Sequence, residues 1–191
     1  MKAGPGVMYR FLRAARRAPA RMLHTTRHRR IVQRLAARPK TNSVLVMCYG
    51  NICRSPFAAA RLQHMLAPLG VRVSSAGLFG SNRETPAEGR EAARSRGVDL
   101  FEHRSRLVTA ELVLAADLVI VMDSMQSHAI LKQFGGRPSQ IVFLGDLDPE
   151  PINTRRIHDP ERQSVTVFAE VYDRIERCAA TMARALGAVP R

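Results

Sequence analysis

From residue 43 onward, short apolar runs alternate with stretches in which apolar residues recur every three or four positions, the pattern of strands alternating with helices. Ser43 to Cys48 (SVLVMC) predicts a buried first strand. Pro56 to Leu66 predicts a helix, with Ser55 as its cap and Pro56 in the first turn, where a missing N–H costs nothing. Val71 to Ser75 predicts a second strand, Pro86 to Arg96 a helix stopped by Gly97, and Thr109 to Ala115 a short third helix. Asp117 to Met122 reads as a buried strand, Ser124 to Phe134 as a helix ended by Gly135 and Gly136, and Gln140 to Leu144 as a fourth strand. Three prolines and no periodicity predict a long loop from Gly145 to Arg162, and loops of that length tend to be functional or disordered. Phe168, Val171, Tyr172, Ile175, Cys178, Ala179 and Met182 then mark one face of a last helix, and put Cys178 in the core. The whole predicts an α/β fold: a small open parallel four-stranded sheet flanked by helices on both faces.

Charge divides the chain in two. The 191 residues carry 30 Lys+Arg against 16 Asp+Glu, a net charge of +14. Residues 1–40 hold 12 of those cations and no carboxylate, which leaves residues 41–191 at only +2. The expectation is a basic N-terminal extension over 1–40, disordered or partly helical, and one compact domain over 41–191. Since the excess charge belongs to the extension, it gives no reason for the domain to bind nucleic acid. Tyr9 and Phe11 are the only aromatic residues of the extension, which makes base stacking, and so nucleic acid, an unlikely partner. Met22, Leu23, Ile31, Val32, Leu35 and Ala36 are interleaved with Arg, a pattern compatible with an amphipathic segment on an anionic membrane surface.

Other classes are excluded on composition. No stretch reaches the ~18–20 apolar residues of a membrane-spanning helix, and the N-terminus lacks the apolar region of an export signal. A mitochondrial transit peptide is harder to exclude: the extension is Arg-rich and acid-poor like one, although it contains no serine and only Thr25 and Thr26 as hydroxyl residues. Three cysteines rule out a disulfide-rich scaffold and point to a reducing, cytoplasmic setting. His24, His28, His64, His128 and His158 show no metal-ligand spacing, so no metal is expected.

In an open α/β sheet, ligands bind outside the carboxyl ends of the strands. The first such loop is Cys48-Tyr49-Gly50-Asn51-Ile52-Cys53-Arg54-Ser55-Pro56. A loop of this length can curl its N–H groups around one centre, and the helix that follows adds its positive end. Such a cup binds a tetrahedral oxyanion. Gly50 and Asn51 are residue types that tolerate the positive φ angles of tight winding. The same field favours thiolate at Cys48, and Arg54 offers a planar fork for two phosphate oxygens, for which Lys is a poor substitute. These parts suit attack of sulfur on phosphorus.

The run resembles the signature of the low-molecular-weight protein tyrosine phosphatases, Cys-x5-Arg-Ser-Pro with Gly-Asn-Ile-Cys inside. The resemblance covers residues 43–187, through Ser75-Ala76-Gly77, the Leu118 to Asp123 strand and Asp159-Pro160. The run from Asp159 to Ser164, followed by Phe168 and Tyr172, is most similar to the bacterial branch, whose members act on tyrosine kinases of exopolysaccharide export. It implies Cys48 as nucleophile, Arg54 as phosphate clamp and Asp159 as general acid. It further implies a phosphate-binding loop of Tyr49, Gly50, Asn51, Ile52, Cys53 and Ser55, with Ser55 stabilising the thiolate and Asn51, Ser75 and His103 supporting the loop. No metal or organic cofactor is implied, and the substrate is a phosphotyrosine protein. Cys53 either fills space under the loop or forms a reversible disulfide with Cys48.

Asp146, Asp148, Glu150 and Glu161 are carboxylates of the same long loop, so the choice of Asp159 rests on the resemblance. Glu161 stands where relatives usually carry an aromatic wall, and Tyr49 and Phe79 are predicted on the same rim. Three alternatives remain. An arsenate reductase would need relay cysteines, and residues 54–177 contain none. An arginine phosphatase typically has Thr in place of Ile52. An anion-binding or regulatory protein would keep the loop without turnover, against which the presence of Cys48, Arg54 and Asp159 together argues.

Overall fold

The computed structural model describes residues 5–188, and side chains from residue 21 onward, so Tyr9 and Phe11 lie outside the described side chains. Strands β1 (Ser43–Cys48), β2 (Arg72–Gly77), β3 (Leu118–Val121) and β4 (Ile141–Phe143) form one parallel sheet in the order β2-β1-β3-β4. Parallel neighbours require crossovers, and helices supply them. α2 (Arg54–Leu66), α3 (Ala87–Arg94), α4 (Ala110–Ala115) and α5 (Ser124–Gln133) lie in these crossovers, while α1 (Pro5–Ala36) precedes β1 and α6 (Val165–Ala185) follows β4.

Alternation along the strands separates two cores. Val44, Val46, Leu118 and Ile120 face one side and pack with Phe57 and Leu62 of α2 and Phe168 and Tyr172 of α6. Leu45, Met47, Val119 and Val121 face the other side, under Val113 of α4 and Ile130 of α5. Phe57 and Tyr172 stack with ring centroids 3.9 Å apart, which ties α2 to α6 beneath the first loop. Each large apolar side chain buried this way contributes roughly 1.5–3 kcal/mol.

Sequence and structure differ at several ends, each for a physical reason. Helix α2 starts at Arg54, and Cys53 stands at its cap position without a side-chain cap bond. Ser55 is therefore inside the first turn and not the cap, because its hydroxyl is engaged with Cys48 and Asn51. Strand β2 runs on to Gly77, since pairing continues to the register Cys48↔Gly77 although Ala76 and Gly77 carry little strand propensity. The long loop opens with a 3-10 turn over Leu144–Leu147. Thr109 does cap α4, accepting from the Leu112 N–H at 3.3 Å.

The basic stretch before β1 is helical from Pro5 to Ala36, and its second half packs on the domain. Ile31 and Leu35, four residues apart on one face, are buried in the α2–α6 core. His24 Nε2 donates to the Asp148 carbonyl at 3.0 Å, His28 Nδ1 to that of Asp146 at 3.1 Å, and Arg34 to that of Ile141 at 2.7 Å. Met22 and Leu23 remain exposed. No helix among the described residues is long and apolar enough to cross a membrane.

Candidate active site

The chain leaves β1 toward β2 on one side and later returns to β3 on the other, so residues 49–53 sit at the switch point of the sheet. Asn51 takes the left-handed conformation there, with φ +51°. Gly50 does not have a positive φ; it is small because a Cβ would lie 3.0 Å from the Arg83 guanidinium. Gly77, at the end of β2, admits no side chain at all: a Cβ would come within 2.7 Å of the Tyr49 carbonyl oxygen. That contact lets the Leu78 and Phe79 N–H groups both donate to Tyr49 O, at 2.7 and 3.0 Å, and so brace the loop.

The loop closes around one sulfur. The Asn51 N–H donates to Cys48 Sγ at 3.2 Å, and Ser55 Oγ lies 3.0 Å from it. Asn51 Nδ2 donates to Ser55 Oγ and to Ser75 Oγ, each at 2.9 Å. Ser55 Oγ accepts from Asn51, which leaves its own proton available to a thiolate at Cys48. His103 Nε2 donates to the Asn51 carbonyl at 2.7 Å, and the Arg106 N–H donates to Asn51 Oδ1 at 3.0 Å. Asn51, Ser55, Ser75 and His103 thus form one connected network with Cys48.

Arg54 is 2% exposed and the largest of the fully buried side chains. Its guanidinium donates to the Ile157 carbonyl at 3.1 Å and to the Asp159 carboxylate, and Asp123 lies 3.9 Å away. Its Nε is buried with no acceptor among the described residues. The other loop carboxylates are engaged elsewhere. Asp146 pairs with Arg155, Asp148 with Arg174 and Arg177, and Glu150 with Arg177. Burial pushes the Cys53 thiol up, helped by Cys48, Asp159 and Glu161, so Cys53 stays protonated. Cys48, Cys53 and Cys178 are all free and buried. Burial likewise raises Cys178, which lies in the α6 core.

Residues 43–189 match the model of the family described as low molecular weight phosphotyrosine protein phosphatase. The chain belongs to that family. The low molecular weight protein-tyrosine-phosphatase Etp of Escherichia coli is 35% identical over 154 residues, covering 78% of this chain and 98% of Etp. Among solved structures, Wzb of Vibrio vulnificus in complex with benzylphosphonate superposes with a TM-score of 0.67 at 30% identity, over 75% of this chain and 98% of that one. The YwlE arginine phosphatase of Geobacillus stearothermophilus is also similar, with a TM-score of 0.68 at 28% identity, over 76% of this chain and 92% of its own.

The rim of the site joins a charged pair to two stacked rings. Glu161 does not line the opening freely but pairs with Arg83 at 3.0 Å. The Arg83 guanidinium in turn lies 6.0 Å from the Phe79 ring centroid. Phe79 stacks on Tyr49 with centroids 5.6 Å apart and planes 8° from parallel, and both rings are exposed, at 56% and 41%. Sequence reasoning placed Tyr49 and Phe79 on this rim but missed Arg83, which no motif marks. It also missed Asp123, although a polar residue just past the carboxyl end of β3 is a readable signal. Tyr172, whose hydroxyl donates to the Cys53 carbonyl at 3.3 Å, was read as core alone.

Proposed function

We propose that the protein is a cytoplasmic tyrosine phosphatase that hydrolyses phosphotyrosine through a phosphocysteine intermediate. The observation that carries this reading is the position of Cys48 Sγ, met by the Asn51 N–H and the Ser55 hydroxyl beside the buried Arg54 fork. Donors aimed at a sulfur suit a thiolate nucleophile. The phosphate takes two oxygens onto Arg54, and its remaining oxygens face the N–H groups of residues 49–53 and the start of α2. It displaces Asp159 from that fork and leaves this carboxyl group beside the ester oxygen.

In the first step the Cys48 thiolate attacks phosphorus, the P–S bond forms and the P–O bond to the aryl group breaks. Asp159 gives its proton to the departing phenolate oxygen. In the second step water attacks phosphorus, Asp159 takes one of its protons, and the P–S bond breaks to release inorganic phosphate and the thiolate. Asn51, Ser75 and His103 hold the loop through this cycle. The stacked rings of Tyr49 and Phe79 serve as the wall for the substrate ring in place of an aromatic residue at Glu161.

The substrate class follows from the rim and from Ile52, an apolar, buried loop residue that suits an aryl ester better than a guanidinium. The phosphoprotein partner is a tyrosine kinase of exopolysaccharide export, a reading supported by the likeness to the bacterial branch. Contact of residues 1–40 with an anionic membrane is a further part of the proposal, supported by their Arg content and by exposed Met22 and Leu23.

The decisive experiment is hydrolysis of an aryl phosphate by the wild type and by Cys48→Ser, with a phosphoarginine peptide as competitor. Loss of turnover in the variant with retained vanadate or phosphate binding supports the covalent route, and residual wild-type rates exclude it. Strong competition and turnover of phosphoarginine would move the substrate from aryl to guanidino phosphates.

A further inference from the structure

Helix α1 precedes the family-matched stretch, and it closes a cavity that belongs neither to the Cys48 loop nor to its rim. Between α1, α5 and β4 lies a pocket of about 330 Å³, within the ~300–1,000 Å³ of small-molecule sites. Arg27, Arg30 and Arg34 line it from α1, three and four residues apart and therefore on one helical face. Ile31, Leu131, Ile141 and Phe143 supply its apolar lining.

The charges in the pocket are unequal. Its single carboxylate, Asp146, pairs with Arg155, whose guanidinium carbon lies 3.4 Å from the Phe143 ring centroid. That leaves Arg27 and Arg30 without a carboxylate partner in the lining, while Asp146 is shared between Arg155 and the field at Arg34. Burial, then Arg38 from outside the lining, lower the Arg34 pKa, although Asp146 opposes the shift. Guanidinium forks match phosphate oxygens two at a time, and the apolar lining calls for an apolar body beside the charge.

We propose that this pocket binds an organic phosphate, with the phosphoryl group on Arg27, Arg30 and Arg34 and its apolar body against Ile141 and Phe143. The strand order places β4 two strands from β1, about 10 Å across the sheet, so the site is separate from the Cys48 loop. It does not depend on the catalytic reading of that loop. A soluble phosphate ester and a phosphate-headed lipid offer the same chemistry, and the test separates them.

Full-length wild type and the double variant Arg27→Ser, Arg30→Ser are compared by calorimetric titration with phenylphosphonate. Both are also sedimented with phosphatidylcholine vesicles containing phosphatidic acid or, at equal charge density, phosphatidylserine. Both arginines are exposed, so the variant should fold with an unchanged melting temperature and unchanged aryl phosphate turnover. The expected result is two phenylphosphonate sites in the wild type: one at the Cys48 loop, which the variant keeps, and a second that the variant lacks or binds at least about tenfold more weakly, as loss of charged hydrogen bonds predicts. That outcome identifies a soluble ester. Vesicle binding that prefers phosphatidic acid and is lost in the variant identifies a lipid. The proposal is overturned if neither probe distinguishes wild type from variant, or if no second phenylphosphonate site is found and phosphatidylserine serves as well as phosphatidic acid.

Discussion

Asn51 shows how one side chain can organise a site. Its φ of +51° turns the loop, its N–H reaches the Cys48 sulfur, and its amide ties Ser55 to Ser75. Arg54 adds the other half, a guanidinium held between Ile157 and Asp159. Under the proposed mechanism, Arg54→Lys should lower kcat/KM for an aryl phosphate by ~10²-fold or more, because a point charge cannot reproduce the planar fork. A near-normal rate would mean that another residue clamps the phosphate. Asp159→Asn should slow poor leaving groups by ~10²-fold and activated ones much less, which a leaving-group series measures. Should Asp123→Asn show that pattern instead, the acid has been misplaced, since Asp123 is the other carboxylate near Arg54. At this scale Cys48 and Arg54 were legible because their spacing and flanking residues are carried by consecutive positions. Arg83 and Asp123 were not, because they approach the site from distant segments.

Elements position these residues by where they end. Strand β1 delivers Cys48 to the carboxyl end of the sheet and α2 begins at Arg54, so only residues 49–53 lie between them. At the opposite end of the sheet Asp117 clips β3 to β1: its Oδ2 accepts from the Asn42 N–H at 2.8 Å, the Ser43 N–H at 3.0 Å and the Ser43 hydroxyl at 3.1 Å. Burial opposes the charge on Asp117, but these hydrogen bonds and Arg38 outweigh it and hold the carboxyl below its usual range. A depressed carboxyl stabilises the fold above its unfolded pKa of ~3.9, and that contribution is lost as pH falls through the lower folded value. Asp117→Asn should therefore cost about 1 kcal/mol at pH 7, allowing for solvent screening, with the difference from wild type shrinking below about pH 4. Denaturant titrations at pH 7 and pH 3 check both the size and the sign. Strand and helix cores were legible from periodicity, whereas the two extra residues at the start of α2 and the continuation of β2 to Gly77 were decided by partners that periodicity does not see.

For the molecule as a whole, the structured stretch extends beyond the family-matched region. Leu35 is buried against a core that the family domain supplies, so Leu35→Ala should cost about 2–4 kcal/mol in thermal or denaturant unfolding while leaving aryl phosphate kcat unchanged. An undiminished melting temperature would show that α1 adds nothing to the domain. The sequence by itself determined the α/β class, the parallel sheet and the run of residues that makes the loop after β1, because hydrophobic period and a contiguous motif are local properties of the chain. Only the tertiary structure decided which carboxylate meets Arg54, how Glu161 is tied to Arg83 and where the basic helix lies. Those outcomes depend on contacts between residues far apart in the chain, such as Arg54 with Asp159 and His24 with Asp148, whose geometry exists only once the sheet and its helices have packed.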